Sequence, residues 1–316
     1  MADGDGGRPA ALAGIGGTPI VRLTRIAGPE LAEVWVKLEG ANPTGSYKDR
    51  MALAMIEGAE RSGRLRPGQT VVEYTGGSTG SSLAFVCAIK GYPTRIVTSD
   101  AFAQEKLASM RAFGAVLDVL PSPEGITPRL LPDMRERALA IAEEVGGFRT
   151  DQFQNHDMPT GYHAMGEEIL AQIDGPVDAW VAYVGTAGCF LGVGGALRER
   201  YPGIRRVAVE PAESAVLSGR PAGTHRIEGG GTGFVPPLLD IARDIDEVRP
   251  VPQEEAFAMA RRATREEGVW SGPSTGANLV AALAVAREFG PGHRVVTVAV
   301  DSGLKYLGGP LYREAG

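Results

Sequence analysis

A chain of 316 residues with 43% hydrophobic content can bury one large core or two moderate ones, and two lobes are the expectation. Its formal charge of −6, with no Lys/Arg run longer than two, excludes a nucleic-acid footprint and leaves any phosphate to be held by backbone and local geometry. Cys87 and Cys189 make no disulfide framework, the four histidines show no metal-ligand spacing, and no stretch approaches the roughly 18 apolar residues of a membrane span, so a metal-free cytoplasmic protein is expected.

Residues 1 to about 10, rich in Gly and Asp, read as disordered. Gly16-Gly17-Thr18-Pro19 opens the ordered part, and Ile20–Leu23 and Val34–Leu38 read as short strands. They lead to Asn42-Pro43-Thr44-Gly45-Ser46-Tyr47-Lys48-Asp49-Arg50, a turn of small residues that delivers Lys48 to the first turn of a helix. A cation there opposes the positive end of the helix dipole, which is better explained by a neutral amine or an imine than by stability.

Strand and helix then alternate: Val71–Tyr74 and Ser81–Lys90, Ile96–Thr98 and Ala103–Phe113, Val116–Leu120 and Met134–Val145. This is the rhythm of βαβ units with parallel strands. Pro121, Pro123, Pro128 and Pro132 mark an irregular connection before Met134. After Asp151-Gln152-Phe153-Gln154 come a helix at Tyr162–Gln172, a strand at Ala179–Val184, a helix at Gly194–Arg200 and a strand at Val207–Val209. A Gly/Pro-rich passage from Ser218 to Pro237 contains Gly229–Gly233, which needs backbone freedom. Helices at Glu254–Glu267 and Asn278–Phe289 and a strand at Val295–Val300 close the chain. The lobe boundary is placed near residues 150 to 156, giving a lobe of 1–154 and a lobe of 155–316, with 11–40 open to crossing and about 42–154 forming the smaller, closing part.

Three Gly-rich turns carry the chemistry. Gly185-Thr186-Ala187-Gly188-Cys189 follows an apolar strand and leads towards a helix, so its backbone N–H groups can approach an anion. It is not a dinucleotide fingerprint, and a compact phosphate monoester fits it better. Thr75-Gly76-Gly77-Ser78-Thr79-Gly80 contains G-x-S-x-G between a strand and a helix, the pattern of a hydrolase nucleophile elbow. On paper Ser78, Asp240 or Asp246, and His293 would complete a triad. Gly272-Pro273-Ser274-Thr275-Gly276-Ala277 heads the helix placed near Asn278, where Ser274 or Thr275 is most simply an N-cap. Asp301-Ser302-Gly303 ends a buried strand in polar residues, where ligands gather in parallel sheets.

With these residues in view, the chain resembles the fold-type II pyridoxal-phosphate enzymes of the cysteine synthase and cystathionine β-synthase family, over nearly its whole length. The lysine turn is the most specific match. The resemblance implies an α/β fold of two lobes, each with a twisted, mostly parallel sheet flanked by helices, and pyridoxal 5′-phosphate as cofactor. It implies Lys48 as the Schiff-base lysine, Gly185–Cys189 as the phosphate cup, and Ser274 as the hydroxyl facing the pyridine nitrogen. Thr75, Gly76, Gly77 and Thr79 match the loop that holds the substrate carboxylate, Gln152 matches a glutamine near the same group, and Gly229–Gly233 matches a loop at the site mouth. A homodimer is implied by resemblance alone.

Two departures stand out. The family's usual Thr-Ser-Gly-Asn-Thr-Gly is here Thr-Gly-Gly-Ser-Thr-Gly, so Ser78 replaces the asparagine beside the cofactor's 3′-oxygen, and Cys189 replaces a threonine at the end of the phosphate cup. The implied reaction is β-replacement on an O-activated serine through an aminoacrylate, most simply with sulfide to give cysteine. A serine or threonine dehydratase, another β-substituted alanine synthase, a hydrolase using Ser78, and a cofactor-binding protein without turnover are the alternatives.

Overall fold

The apolar runs become strands and helices in the computed structural model, which describes residues 9–124, 127 and 129–313. The expected disorder at residues 1–8, and Pro128 of the irregular connection, lie outside the described residues. The first half of the chain runs β1 (Ile20–Arg22), β2 (Glu33–Leu38), α1 (Lys48–Arg61), β3 (Val71–Tyr74), α2 (Ser78–Lys90), β4 (Thr94–Ser99), α3 (Gln104–Ala112), β5 (Val116–Leu120), α4 (Leu130–Glu144) and β6 (Phe148–Arg149). The second half runs α5 (Met158–Gln172), β7 (Ala179–Tyr183), α6 (Gly188–Arg200), β8 (Arg205–Pro211), α7 (Ile241–Asp244), β9 (Glu247–Val251), α8 (Gln253–Glu267), α9 (Pro273–Phe289) and β10 (Arg294–Ala299).

The chain divides into two compact units. The first comprises Met1–Gly17, Asn42–Thr44 and Lys48–Asn155, the second Thr18–Ala41, Gly45–Tyr47 and His156–Gly316. In the first, the described residues form a four-stranded sheet in the order β5-β4-β3-β6, every neighbouring pair parallel. Val72, Val97, Met134 and Ile141 are at the centre of the core on one side, and Ala84, Ile96 and Met110 pack together in a second cluster. In the second unit the order is β1-β2-β10-β7-β8-β9, antiparallel only at β1–β2. Parallel strands need crossovers, and the helices between them supply these while covering apolar strand faces.

Several expected boundaries shift, each for a physical reason. α6 begins at Gly188 rather than Gly194, because its glycines are packing positions rather than turn residues: a Cβ on Gly192 would come within 2.3 Å of the Pro159 carbonyl oxygen on α5. α4 begins at Leu130 with Pro132 in its first turn, where a missing N–H breaks no helical bond. α9 begins at Pro273, so the expected N-cap role of Ser274 or Thr275 is corrected: Gly272 is the N-cap and both residues lie inside the first turn. β6 and β9 are unexpected; both are sheet edges, and Pro250 inside β9 reads against a strand except in that position.

One buried side chain ties three elements of the second unit together. Asn278 on α9 is fully buried; its Oδ1 accepts from Tyr183 N at 2.6 Å and its Nδ2 donates to Val298 O at 2.8 Å, joining β7 and β10. Thr275, one turn earlier, accepts from Val300 N at 3.0 Å. Asn278→Ala leaves a buried donor and acceptor unpaired, and urea unfolding is expected to show a loss of about 2–5 kcal/mol.

Candidate active site

Lys48 is the first residue of α1 and is 7% exposed. Its turn is held from within the first unit by the next residue: Asp49 accepts from Thr44 N at 2.8 Å and from the Thr44 hydroxyl at 2.5 Å. Asp49 is fully buried and places a carboxylate in the first helical turn, the end of the dipole that favours it.

The turn after β3 is the second component of this unit. Thr75 N donates to Val97 O at 2.9 Å, and the Thr75 hydroxyl accepts from Gly77 N at 3.1 Å, folding the chain into α2. Gly76 lies under the ring of Phe102, so that a Cβ there would come within 2.2 Å of it. Gly77 is the N-cap of α2 and has open space around it. Ser78 and Thr79 are the first residues of that helix. The structure brings Thr79 and Gln152 into contact: the Thr79 hydroxyl donates to Gln152 Oε1 at 2.7 Å, and Gln152 Nε2 donates to Tyr74 O at 3.2 Å.

Behind this pair lies Glu73, which the sequence reading passed over. Glu73 accepts from Tyr74 N at 2.8 Å, Gln152 N at 3.0 Å and the Thr150 hydroxyl at 2.7 Å. It is 2% exposed, and burial pushes its carboxyl up to about 7 against the pull of those three donors. Its only sequence signal is an acid inside the apolar run of β3.

In the second unit, β7 ends in the buried turn Gly185-Thr186-Ala187-Gly188-Cys189, whose last two residues begin α6. No side chain caps this helix through its N-cap Ala187, which has φ 69° and ψ −16°, a left-handed conformation unusual for alanine. The first N–H groups of a helix have no partner within it, so the turn presents backbone donors together with the positive end of the α6 dipole. Gly229 and Gly230 cross directly over the turn. A Cβ on Gly185 would lie 2.5 Å from Gly229 O, and one on Gly230 would lie 2.5 Å from Val184 O. Tyr183, fully buried with its phenol pushed well up by desolvation, donates to Ile227 O at 3.0 Å and anchors the same passage. At the head of α9, Ser274 is 1% exposed and its hydroxyl has no hydrogen-bond partner among the described residues. A Cβ on Gly229 would be 3.8 Å from that oxygen, so Ser274, Gly229 and Gly185 gather at one place.

The triad of the hydrolase pattern is not built. Positive φ among described non-glycine residues occurs only at Asp151 and Ala187, so Ser78 lacks the strained elbow conformation. His293 stacks on Phe289 at 5.2 Å with its Nδ1 buried and unpartnered, while Asp240 caps α7 and Asp246 pairs with Arg206 at 3.0 Å. Among the described residues no acid is hydrogen-bonded to the His293 imidazole. His163, Glu167 and Glu199 bring ligand atoms within 4.8 Å of one another on α5 and α6, a half-buried histidine between two exposed carboxylates. No described helix is long and apolar enough to cross a membrane.

Residues 11–301 match the model of the pyridoxal-phosphate dependent enzymes, and the chain belongs to that family. A cysteine synthase of Staphylococcus aureus is 43% identical over 300 residues, covering 94% of this chain and 95% of its own. Among solved structures, O-acetyl serine sulfhydrylase isoform 3 from Entamoeba histolytica superposes with a TM-score of 0.90 at 36% identity, covering 100% of this chain and 96% of that one. An O-ureido-L-serine synthase gives a TM-score of 0.89 at 37% identity over 97% and 96% of the two chains. The α/β fold is therefore the fold-type II arrangement, and the chain is a pyridoxal-phosphate enzyme.

The raised carboxyl of Glu73 has a stability consequence. Between its unfolded value of 4.5 and its folded value of about 7, the folded chain keeps a proton that the unfolded chain has lost, so stability falls as pH rises through that window. Glu73→Gln removes the titration. In pH-dependent thermal unfolding the variant is expected to gain on the wild type by up to about 3 kcal/mol across the window, and to gain nothing further above it.

Proposed function

We propose that this chain catalyses β-replacement on an O-activated serine of the O-acetylserine or O-phosphoserine type, exchanging the activated oxygen substituent for a small nucleophile, most simply sulfide, to give cysteine. The observation that carries the reading is the buried, unpartnered hydroxyl of Ser274, gathered with Gly185 and Gly229 beside an uncapped helix N-terminus. A buried hydroxyl awaiting a partner and a cradle with no room for side chains fit a phosphorylated heteroaromatic ring.

When bound, the cofactor supplies the electron sink that lets a Cα proton leave and a β-substituent follow. The chain's own residues do the rest. Gly185, Thr186, Ala187, Gly188 and Cys189 would hold the phosphate, chiefly by backbone N–H groups, since Cys189 lacks the hydroxyl of the family's threonine. Ser274 would meet the ring nitrogen, and Ser78 the 3′-oxygen. A hydroxyl at that nitrogen, in place of a carboxylate, favours loss of the β-substituent over transamination. Lys48 would hold the aldehyde carbon and, once displaced by the donor's amine, accept the Cα proton at its Nζ. Thr75, Gly76, Gly77, Thr79 and Gln152 would bind the donor carboxylate, a role supported by the Thr79–Gln152 contact. The same reading keeps the protein in the cytoplasm as a homodimer.

Cofactor-loaded protein given O-acetylserine and sulfide is expected to release cysteine and acetate. Lys48→Ala is expected to lower kcat by about 10²–10⁴-fold and to abolish borohydride fixation of the cofactor to the chain. Undiminished turnover and fixation in that variant would exclude Lys48, and oxo-acid release without added sulfide would make the enzyme a dehydratase. Gly185→Ala, forced against Gly229 O, is expected to weaken cofactor affinity by about tenfold or more in a fluorescence titration.

A further inference from the structure

We propose that Glu73 is a positioning residue for the donor-carboxylate site, setting Gln152 and the turn after β3 without touching substrate itself. This rests on the reading that Thr75–Thr79 and Gln152 hold that carboxylate. Glu73 is the last residue but one of β3, and both of its oxygens work: Oε1 accepts from Tyr74 N, Oε2 from Gln152 N and the Thr150 hydroxyl. No cation pairs with it among the described residues; Asp151 pushes the carboxyl further up and is itself paired with Arg149 at 2.8 Å.

The carboxylate fixes position at two points at once. Through Tyr74 N it holds the strand end from which Thr75 and Gly76 depart, and through Gln152 N it sets the backbone from which the amide reaches the Thr79 hydroxyl. The Gln152 turn needs such a hold. Asp151, immediately before it, has φ 48°, a left-handed conformation that persists only when its surroundings impose it. Asn155 closes the rear of the turn, its Nδ2 donating to Thr150 O at 2.8 Å.

An isosteric amide cannot replace the carboxylate. Its oxygen can face Tyr74 N or Gln152 N, but its NH₂ then meets the other backbone donor. A protonated carboxyl keeps more of the arrangement: with its O–H turned to the Thr150 hydroxyl both oxygens still accept, the hydroxyl oxygen more weakly than a carboxylate. With the carboxyl raised to about 7 by desolvation, the ionised, double-acceptor form dominates only above neutrality.

The test is steady-state kinetics of cofactor-loaded wild type, Glu73→Gln and Gln152→Ala, varying O-acetylserine from about pH 6 to about pH 8.5. At the upper end Glu73→Gln is expected to raise donor KM about tenfold with kcat within about twofold, a split that general destabilisation does not give. The gap should narrow towards the lower end, where wild-type Glu73 is protonated and its hydroxyl oxygen is the weaker acceptor. If Gln152→Ala raises donor KM but Glu73→Gln leaves it unchanged at every pH, the role of Glu73 is overturned and the carboxylate site stands. If Gln152→Ala leaves it unchanged, both fall. Should Glu73→Gln fail to fold, Thr150→Val, which removes one of the three donors, is expected to raise donor KM about threefold at unchanged kcat, and no change there overturns the proposal.

Discussion

The second unit is governed by an approach of backbone to backbone at the end of β7. Gly229 and Gly230 cross Val184 and Gly185 so closely that neither Gly185 nor Gly230 can carry a Cβ, and Gly231 N closes the crossing by donating to Val184 O at 3.2 Å. Much around it follows from this constraint. With side chains excluded at Gly185 and Gly230, polar groups at the crossing are met by backbone or by a ligand. The buried turn, the left-handed Ala187 and the unpartnered Ser274 hydroxyl lie around this crossing. Asn278 fixes the strands that bring these pieces to the same end of the sheet.

Much of this was legible in the residues. The alternation of strand and helix, the parallel sheets and the lysine turn follow from local pattern, because apolar runs and Gly/Pro punctuation act over a few residues. What was not legible depends on partners distant in sequence. The glycines that open α6 read as loop until α5 is packed against them, and β9 reads as irregular until β8 supplies its ladder. G-x-S-x-G is present as letters, yet Ser78 lacks the strained backbone that gives the pattern its chemistry. Glu73 is the clearest omission. One acid in a four-residue strand looks like an exposed position, and only its neighbours Thr150 and Gln152, about eighty positions on, reveal a buried acceptor.

Glu73 also shows why the first unit is not built for stability alone. A carboxylate without a counter-cation is a poor core group, and an apolar residue of similar volume would remove the desolvation that raises it. Its three donors offset only part of that desolvation. The arrangement trades folding free energy for a fixed Gln152, as expected where a local rule is broken at a working site.

Phe102 and Gly76 carry an evolutionary implication. With the ring occupying the space of a Cβ at position 76, the serine usual in the family fits there only if the ring of Phe102 moves aside. The two positions are thus epistatic: a side chain at 76 costs this chain a rearrangement that a smaller residue at 102 would not require.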